Sequence, residues 1–217
     1  MAVLGVAPDV ARPTALALNI VVASLVTFRF WRAGHISLRA LAPFVIGSVP
    51  LAFLGGTLPV VPGLYKQLVG LVLLAAAVAV AVTARGAARV DTGRAVPRVP
   101  AVPAVVIGAV IGLLSGLTGT GGGIFLSPVL LLAGWSEMRA ASGIASAFIL
   151  ANSVSGLAGN VARLSSIPSE IPLWVGAVVV GALVGSEIGS RTGPILLLRR
   201  ALSVVLVIAG FKLILFP

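Results

Sequence analysis

The 217-residue chain contains no cysteine, one histidine (His35) and five acidic residues. Without cysteine there can be no disulfides, thiol catalysis or thiolate metal sites, and one histidine cannot build a histidine-rich metal cluster. Hydrolysis or group transfer at a membrane generally needs clustered His, Asp or Glu, whereas Asp9, Asp91, Glu137, Glu170 and Glu187 are scattered along the chain. No GxxxxGK[ST] phosphate loop occurs, so energy would come from a gradient or an external subunit. Neither an enzyme nor a bound cofactor is expected. Charge is scarce too, at 9% of residues against 59% hydrophobic, with a mean hydropathy of +1.19. That balance describes an all-α polytopic integral membrane protein. The first twelve residues lack the basic flank, apolar core and cleavage-site order of a signal peptide.

The charge that is present is mostly arginine, thirteen of fifteen basic residues, gathered around 29–39, 85–98 and 191–200. These clusters fall between apolar stretches, as cytoplasmic loops of a multi-pass inner-membrane protein require. No basic helix or aromatic-basic interleaving points to nucleic acid. At about 20 residues per crossing, helices are expected near 11–30, 39–59, 64–84, 139–161, 172–192 and 197–216. Trp31, Trp135 and Trp174 sit close to span ends, where the indole ring suits the lipid–water interface.

One apolar stretch, 101–133, is interrupted by Thr118, Gly119, Thr120, Gly121, Gly122 and Gly123. Glycine inside a helix costs about 1 kcal/mol relative to alanine, and backbone freed at membrane depth is tolerated only where it is buried in protein or lines a cavity. The break therefore reads as a binding site. It could divide a single crossing or form a re-entrant hairpin. A hairpin puts Arg29, Arg32, Arg39, Arg85, Arg89, Arg94, Arg98, Arg139, Arg191, Arg199 and Arg200 on one side, and Arg12, Lys66, Arg163 and Lys212 on the other. That is 11 against 4 basic residues; a single crossing gives 9 against 6. The positive-inside rule favours the hairpin.

The chain also repeats itself. The nine residues from Asp9 to Ala17 parallel those from Glu137 to Ala145, and at an offset of 134 Gly47 matches Gly181, Gly55 matches Gly189, Lys66 matches Arg200 and Leu68 matches Leu202. Two pseudo-symmetric halves are expected, 1–84 and 101–217, joined by a basic cytoplasmic linker, 85–100; under the hairpin reading they are inverted. The linker could touch anionic lipid or simply enforce topology. Small residues recur every four positions at Gly108, Gly112 and Gly116, at Gly143, Ala147, Ala151, Ser155 and Gly159, and at Gly181, Gly185, Gly189 and Gly193. Such ridges let helix backbones approach closely.

An anion would suit the break. The short helix after it presents unsatisfied N–H groups, consecutive glycine amides can cradle a negative charge, and Thr118 and Thr120 add hydroxyls. The competing reading is that the glycines only admit a crossing helix. Ser142, Ser146, Asn152 and Ser153 on the next helix could complete a site or merely bond between helices, with Thr14 and Asn19 as first-half counterparts. Glu187 is the one acid within a span and so a candidate for proton coupling. Arg191, one turn on, would equally make it an interfacial ion pair.

The run from Gly116 to Leu131, GLTGTGGGIFLSPVLL, followed by Ala140-Ala141-Ser142-Gly143, resembles the sulfite exporter TauE/SafE family of bacterial permeases, as does the first-half stretch from Ala11 to Leu18 with Arg32-Ala33-Gly34-His35-Ile36 after it. The resemblance covers nearly the whole chain. It implies gradient-coupled movement of sulfite, sulfoacetate or related organosulfonates, and a first glycine-rich segment with no counterpart ahead of Asp9 in these residues. A passive anion channel, or a non-transporting fragment or assembly partner, remains the alternative. Expected partners are a small inorganic or organic anion and the bilayer, with self-association into a homo-oligomer possible.

Overall fold

The computed structural model describes residues 8–86, 99–136, 138–161 and 171–191, together with positions 204, 207, 208 and 211. These residues form seven helices and no strand: α1 (Pro8–Arg32), α2 (Leu38–Thr57), α3 (Pro62–Gly86), α4 (Ala101–Thr118), α5 (Gly123–Leu132), α6 (Met138–Gly159) and α7 (Ile171–Arg191). Five of the six spans expected outside the glycine break are met within a few residues by α1, α2, α3, α6 and α7. The span near 197–216 and most of the 85–100 linker lie outside the described residues. Four stretches, Asp9–Arg32, Leu38–Thr57, Ala101–Thr118 and Arg139–Gly159, are long and apolar enough to cross a membrane.

Local chemistry sets the helix ends. Pro8 and Pro62 occupy first helical positions, where a missing N–H costs nothing. Ser37 caps α2, its hydroxyl accepting from the Ala40 amide at 3.4 Å. Gly119 ends α4 in the left-handed conformation (φ 77°), its N–H returning to the Ser115 carbonyl at 2.8 Å.

The glycine ridge of α4 lies against the backbone of α2. A methyl group at Gly108 would strike Phe44, at Gly112 Ser48, and at Gly116 Ala52. Residue numbers rise together along both helices, so α2 and α4 run parallel. The same holds for α6 and the stretch leading into and along α2: Gly143 abuts His35, Ser155 donates to the Val49 carbonyl at 2.6 Å, and Gly159 abuts Phe53. In contrast, α1 runs against them, with Arg12 near Gly116, Leu16 near Gly156, and Asn19 beside Ser153.

Because α4 and α6 begin at the same end of the bundle, the segment between them must return the chain. α5 does so. Its ten residues span about 15 Å, half the hydrocarbon thickness, and Leu126 and Leu130 descend into the core formed by Leu41, Phe44, Ala104, Ile111, Ala141, Ile144 and Phe148. The broken segment is therefore a re-entrant hairpin, with α4 as the long arm and α5 as the short one. Arg29, Arg32, Arg39 and Arg139 are all exposed at the end where α2, α4 and α6 begin, here called the basic end. α1 and α6, the pair matched by the sequence repeat, run in opposite directions, the sense that inverted halves require.

Large apolar side chains cover the outside, among them Leu38, Ile46, Val102, Val106, Val110, Leu173 and Val180. That surface suits lipid. Trp31 is exposed at the end of α1, whereas Trp135 packs on Phe44 with ring centroids 6.4 Å apart.

Candidate functional site at the glycine break

After Thr120, Gly121 (φ 74°) and Gly122 (φ 77°) return to the left-handed conformation of Gly119 and turn the chain into α5. L-residues with a Cβ pay about 1–2 kcal/mol per position to enter this region, so glycine is required for conformation as well as space. Gly122 caps α5 without any side-chain bond, and its carbonyl accepts from Phe125. Among the described residues no group accepts from the amides of Gly121, Gly122 and Gly123. The positive end of the α5 dipole thus opens into the turn.

The turn sits midway along the bundle. A methyl at Gly122 would lie 2.7 Å from Ile111 Cγ2 and 3.1 Å from Phe148 Cε1; one at Gly121 would lie 3.1 Å from Ser153 Oγ and 3.2 Å from Asn19 Nδ2. Ile111, Phe148 and Ser153 are all interior positions of their helices, which places the break near half depth. α3 closes its other flank, where Ala76 and Ala77 pack with Ile124 and Phe125.

Polar side chains around the turn divide into two groups. In the first, hydrogens are already committed. Thr118 Oγ1 donates to Leu114 O at 2.6 Å, so the 3.0 Å contact between Thr118 Oγ1 and Thr120 Oγ1 uses the Thr120 hydrogen. Thr14 Oγ1 donates to Val10 O, Ser146 Oγ to Gly143 O, Asn19 Nδ2 to Gly119 O at 3.2 Å, and Tyr65 OH to Thr118 O at 3.4 Å. In the second, fully buried atoms have no protein partner: Ser153 Oγ and Ser115 Oγ at the turn, and, elsewhere in the bundle, Ser48 Oγ beside Gly112 and both amide atoms of Asn152. Buried polar groups left unbonded cost about 1–3 kcal/mol each, and native proteins keep few of them. The Nε atom of Arg12, Thr27 Oγ1 and Asn160 Oδ1 are unpartnered too, but Ser115 and Ser153 are the ones that methyls on the turn glycines would touch, at 3.5 Å from Ser115 Cβ and 3.1 Å from Ser153 Oγ, and they mark the turn as a place prepared for a polar guest.

Arg12 is the feature the sequence reading misplaced. Counted there among the loop charges on the side opposite Arg29–Arg39, it does lie towards that end, but it is fully buried one turn into α1. Its guanidinium donates to Gly55 O at 2.6 Å, Leu58 O at 3.0 Å and Gly56 O at 3.2 Å at the end of α2, and to Gly116 O at 2.9 Å in the last turn of α4. Those carbonyls are the negative ends of two helix dipoles. The arginine therefore clasps α1, α2 and α4 together at the end opposite the basic one, and its backbone forms a wall of the break: a methyl at Gly119 would lie 3.1 Å from the Arg12 carbonyl oxygen.

Residues 1–213 match the family described as sulfite exporter TauE/SafE. The chain belongs to that family. It is 38% identical over 216 residues to a protein of Sinorhizobium fredii (strain NBRC 101917 / NGR234) described as "Probable membrane transporter protein y4hK", the match covering 99% of this chain and 86% of the relative. No solved structure matches. This TauE/SafE chain is accordingly a multi-pass membrane transporter.

Of the residues expected at the site of this TauE/SafE protein, the structure brings together Thr118, Gly119, Thr120, Gly121, Gly122 and Gly123 with Asn19 from α1 and Ser153 of α6; Asn152, next to Ser153 in α6, is fully buried. Ser146 is one turn below, and Thr14 is buried with its hydroxyl turned to its own helix. Ser142 stands near the basic end beside Gly143, which meets His35, and so lies about 16 Å along the helix from Ser153. The side chains of Glu187 and Arg191 lie outside the described residues. Ser48 and Ser115 were missed; Ser48 sits on the close-packed α2–α4 face and Ser115 directly precedes Gly116 of that ridge, where a small polar residue looks like packing. For Arg12 the signal was available, a charged residue buried inside an apolar run flanked by Ala11 and Pro13.

Proposed function

We propose that this transporter moves a small anion of the sulfite or organosulfonate type across the cell inner membrane, by gradient-coupled secondary transport. The observation that carries this reading is Ser153: a buried, unpartnered hydroxyl facing a turn of three glycines whose amides have no acceptor among the described residues, at mid-depth and at the positive end of a half-length helix. Sulfite and sulfonate oxygens accept such hydrogen bonds readily, and a site of neutral donors releases its ligand as well as binding it. Positive-inside placement makes the basic end cytoplasmic. Glu187, inside α7, is the candidate for coupling, with Arg191 one turn away. Half-helix termini aimed at an anionic group from an inverted-repeat interface are an established arrangement for such work.

The test is sulfite flux into proteoliposomes under an imposed pH gradient. The expected result is accumulation that collapses when the gradient is dissipated. Flux that equilibrates regardless of the gradient would make the protein a passive anion channel, and no flux of sulfite or any organosulfonate would sink the reading.

A further inference from the structure

Resting on the anion reading above, we infer that Asn19 and Tyr65 are positioning residues, which act through the backbone by holding the peptide planes of the glycine turn with N–H groups, and not carbonyls, towards the guest. Two hydrogen bonds carry this. Asn19, midway along α1, donates from Nδ2 to Gly119 O at 3.2 Å, and Tyr65, in the first turn of α3, donates from its hydroxyl to Thr118 O at 3.4 Å. The acceptors belong to consecutive peptides at the start of the turn, and the donors come from two different helices. Tyr65 is delivered by packing, its buried ring seated against Ala11 and Val69.

A turn of this composition does not orient itself. Glycine enters positive and negative φ about equally, so the planes flanking Gly119, Gly121 and Gly122 can turn over at little cost, and a plane turned over puts an acceptor where a donor stood. In a trans peptide the C=O and N–H point in opposite directions. A carbonyl drawn to a neighbouring helix therefore sends the next N–H the other way: with Gly119 O on Asn19, the Thr120 amide faces away from α1. The plane before it is held at both ends, Thr118 O by Tyr65 and the Gly119 N–H by Ser115 O at 2.8 Å. The far end of the turn is fixed by α5 itself, whose first turn brings the Phe125 and Leu126 amides to Gly122 O at 3.1 and 3.4 Å. Helix geometry thus sets one end. The other lies past the end of α4, where carbonyls lack helical partners, and there side chains from α1 and α3 do the same work. Between the two anchored ends the amides of Gly121 and Gly122 keep one orientation, and a carbonyl in their place would repel an anion.

The experiment measures the concentration dependence of sulfite flux in proteoliposomes holding the full chain, for the parent, Tyr65→Phe, Asn19→Leu and Asn19→Gln, with Gly112→Ala as a variant that loosens the frame away from the turn. Tyr65→Phe removes one oxygen from an apolar seat and so keeps the test independent of how well the Asn19 variants fold. Tyr65→Phe and Asn19→Leu are each expected to raise KM for sulfite about tenfold with Vmax per folded molecule retained. Asn19→Gln keeps the amide donor and should stay nearer the parent than Asn19→Leu, while Gly112→Ala should keep the parental KM. Parental KM in Tyr65→Phe and Asn19→Leu, with flux lost only as folded protein is lost, would make both bonds purely structural and overturn this inference while leaving transport standing. A rise in KM shared by Gly112→Ala would trace the effect to a loosened frame and overturn it equally. No sulfite flux in the parent would remove the transport reading itself, and this inference with it.

Discussion

The glycines of α4 and those that follow it stand a few residues apart and do opposite things. Gly108, Gly112 and Gly116 have ordinary helical backbones, and each is required because the α2 backbone occupies the place of its side chain. Gly119, Gly121 and Gly122 have φ between 74° and 77°, and are required because the chain must turn left-handed to send α5 back. Around the first group, backbone is packed on backbone; around the second, buried amides and hydroxyls are left without partners. One residue type thus supplies both a rigid frame and the opening it holds, and Arg12 joins the two by binding Gly116 of the ridge while walling Gly119 of the turn.

Removing that joint should have the largest effect. Arg12→Met keeps the bulk but strips four carbonyl acceptors of their buried partner, and loss of one side of a buried charged arrangement costs about 3–5 kcal/mol. Thermal unfolding in detergent should show a large fall in Tm, with flux lost together with folded protein. A variant of unchanged Tm would mean the clasp adds little to the frame. Gly112→Ala attacks the ridge alone. Its methyl would lie 2.6 Å from the Ser48 Cα, and neither helix can retreat without opening the whole face, so a loss of about 1–3 kcal/mol is expected. Flux per folded molecule should survive. Gly181 carries the same four-residue spacing but meets nothing within 4 Å among the described residues, and Gly181→Ala should stay within about 0.5 kcal/mol of the parent.

Those three positions also show how far the sequence could be read. Period and length placed α1, α2, α3, α6 and α7, because a bilayer leaves a continuous apolar run little choice but to be a helix. The hairpin was legible from arginine placement, since Arg139 can share a side with Arg29 and Arg39 only if the chain turns back before it. Ridge spacing could not distinguish Gly112, pressed on a neighbour, from Gly181, pressed on none of the described residues, because spacing defines a face and not what covers it. Nor could a list of hydroxyl residues show which hydrogens are spent. Thr118 and Thr120 were the obvious donors by position, yet each has an acceptor within the protein, whereas Ser115 and Ser48 look like packing residues and keep theirs. Partner assignment depends on side-chain geometry across helices far apart in sequence, which no local pattern encodes.

Gly122→Ala separates the two roles of glycine at the turn itself. The left-handed backbone costs the alanine about 1–2 kcal/mol, and its methyl would press on Ile111 and Phe148. Anion flux is expected to fall well beyond the share of protein that unfolds, because the methyl intrudes where the free amides converge. Flux that fell only in proportion to folded protein would reduce the turn to a packing device.

The smallest structural change is the sharpest test. Ser153→Ala removes a hydroxyl that is fully buried and bonded to nothing in the protein, so the variant should be as stable as its parent or gain up to about 1 kcal/mol, since an unmet desolvation cost disappears. Flux should nevertheless drop, because the same hydroxyl is the side-chain donor nearest Gly121. Stability and activity moving in opposite directions is what separates a binding group from a packing group: Gly112→Ala lowers stability and spares turnover, while Ser153→Ala spares stability and lowers turnover. A Ser153→Ala protein that is less stable and carries anion at the parental rate would show that the hydroxyl serves the frame, and would move the binding site away from the glycine turn.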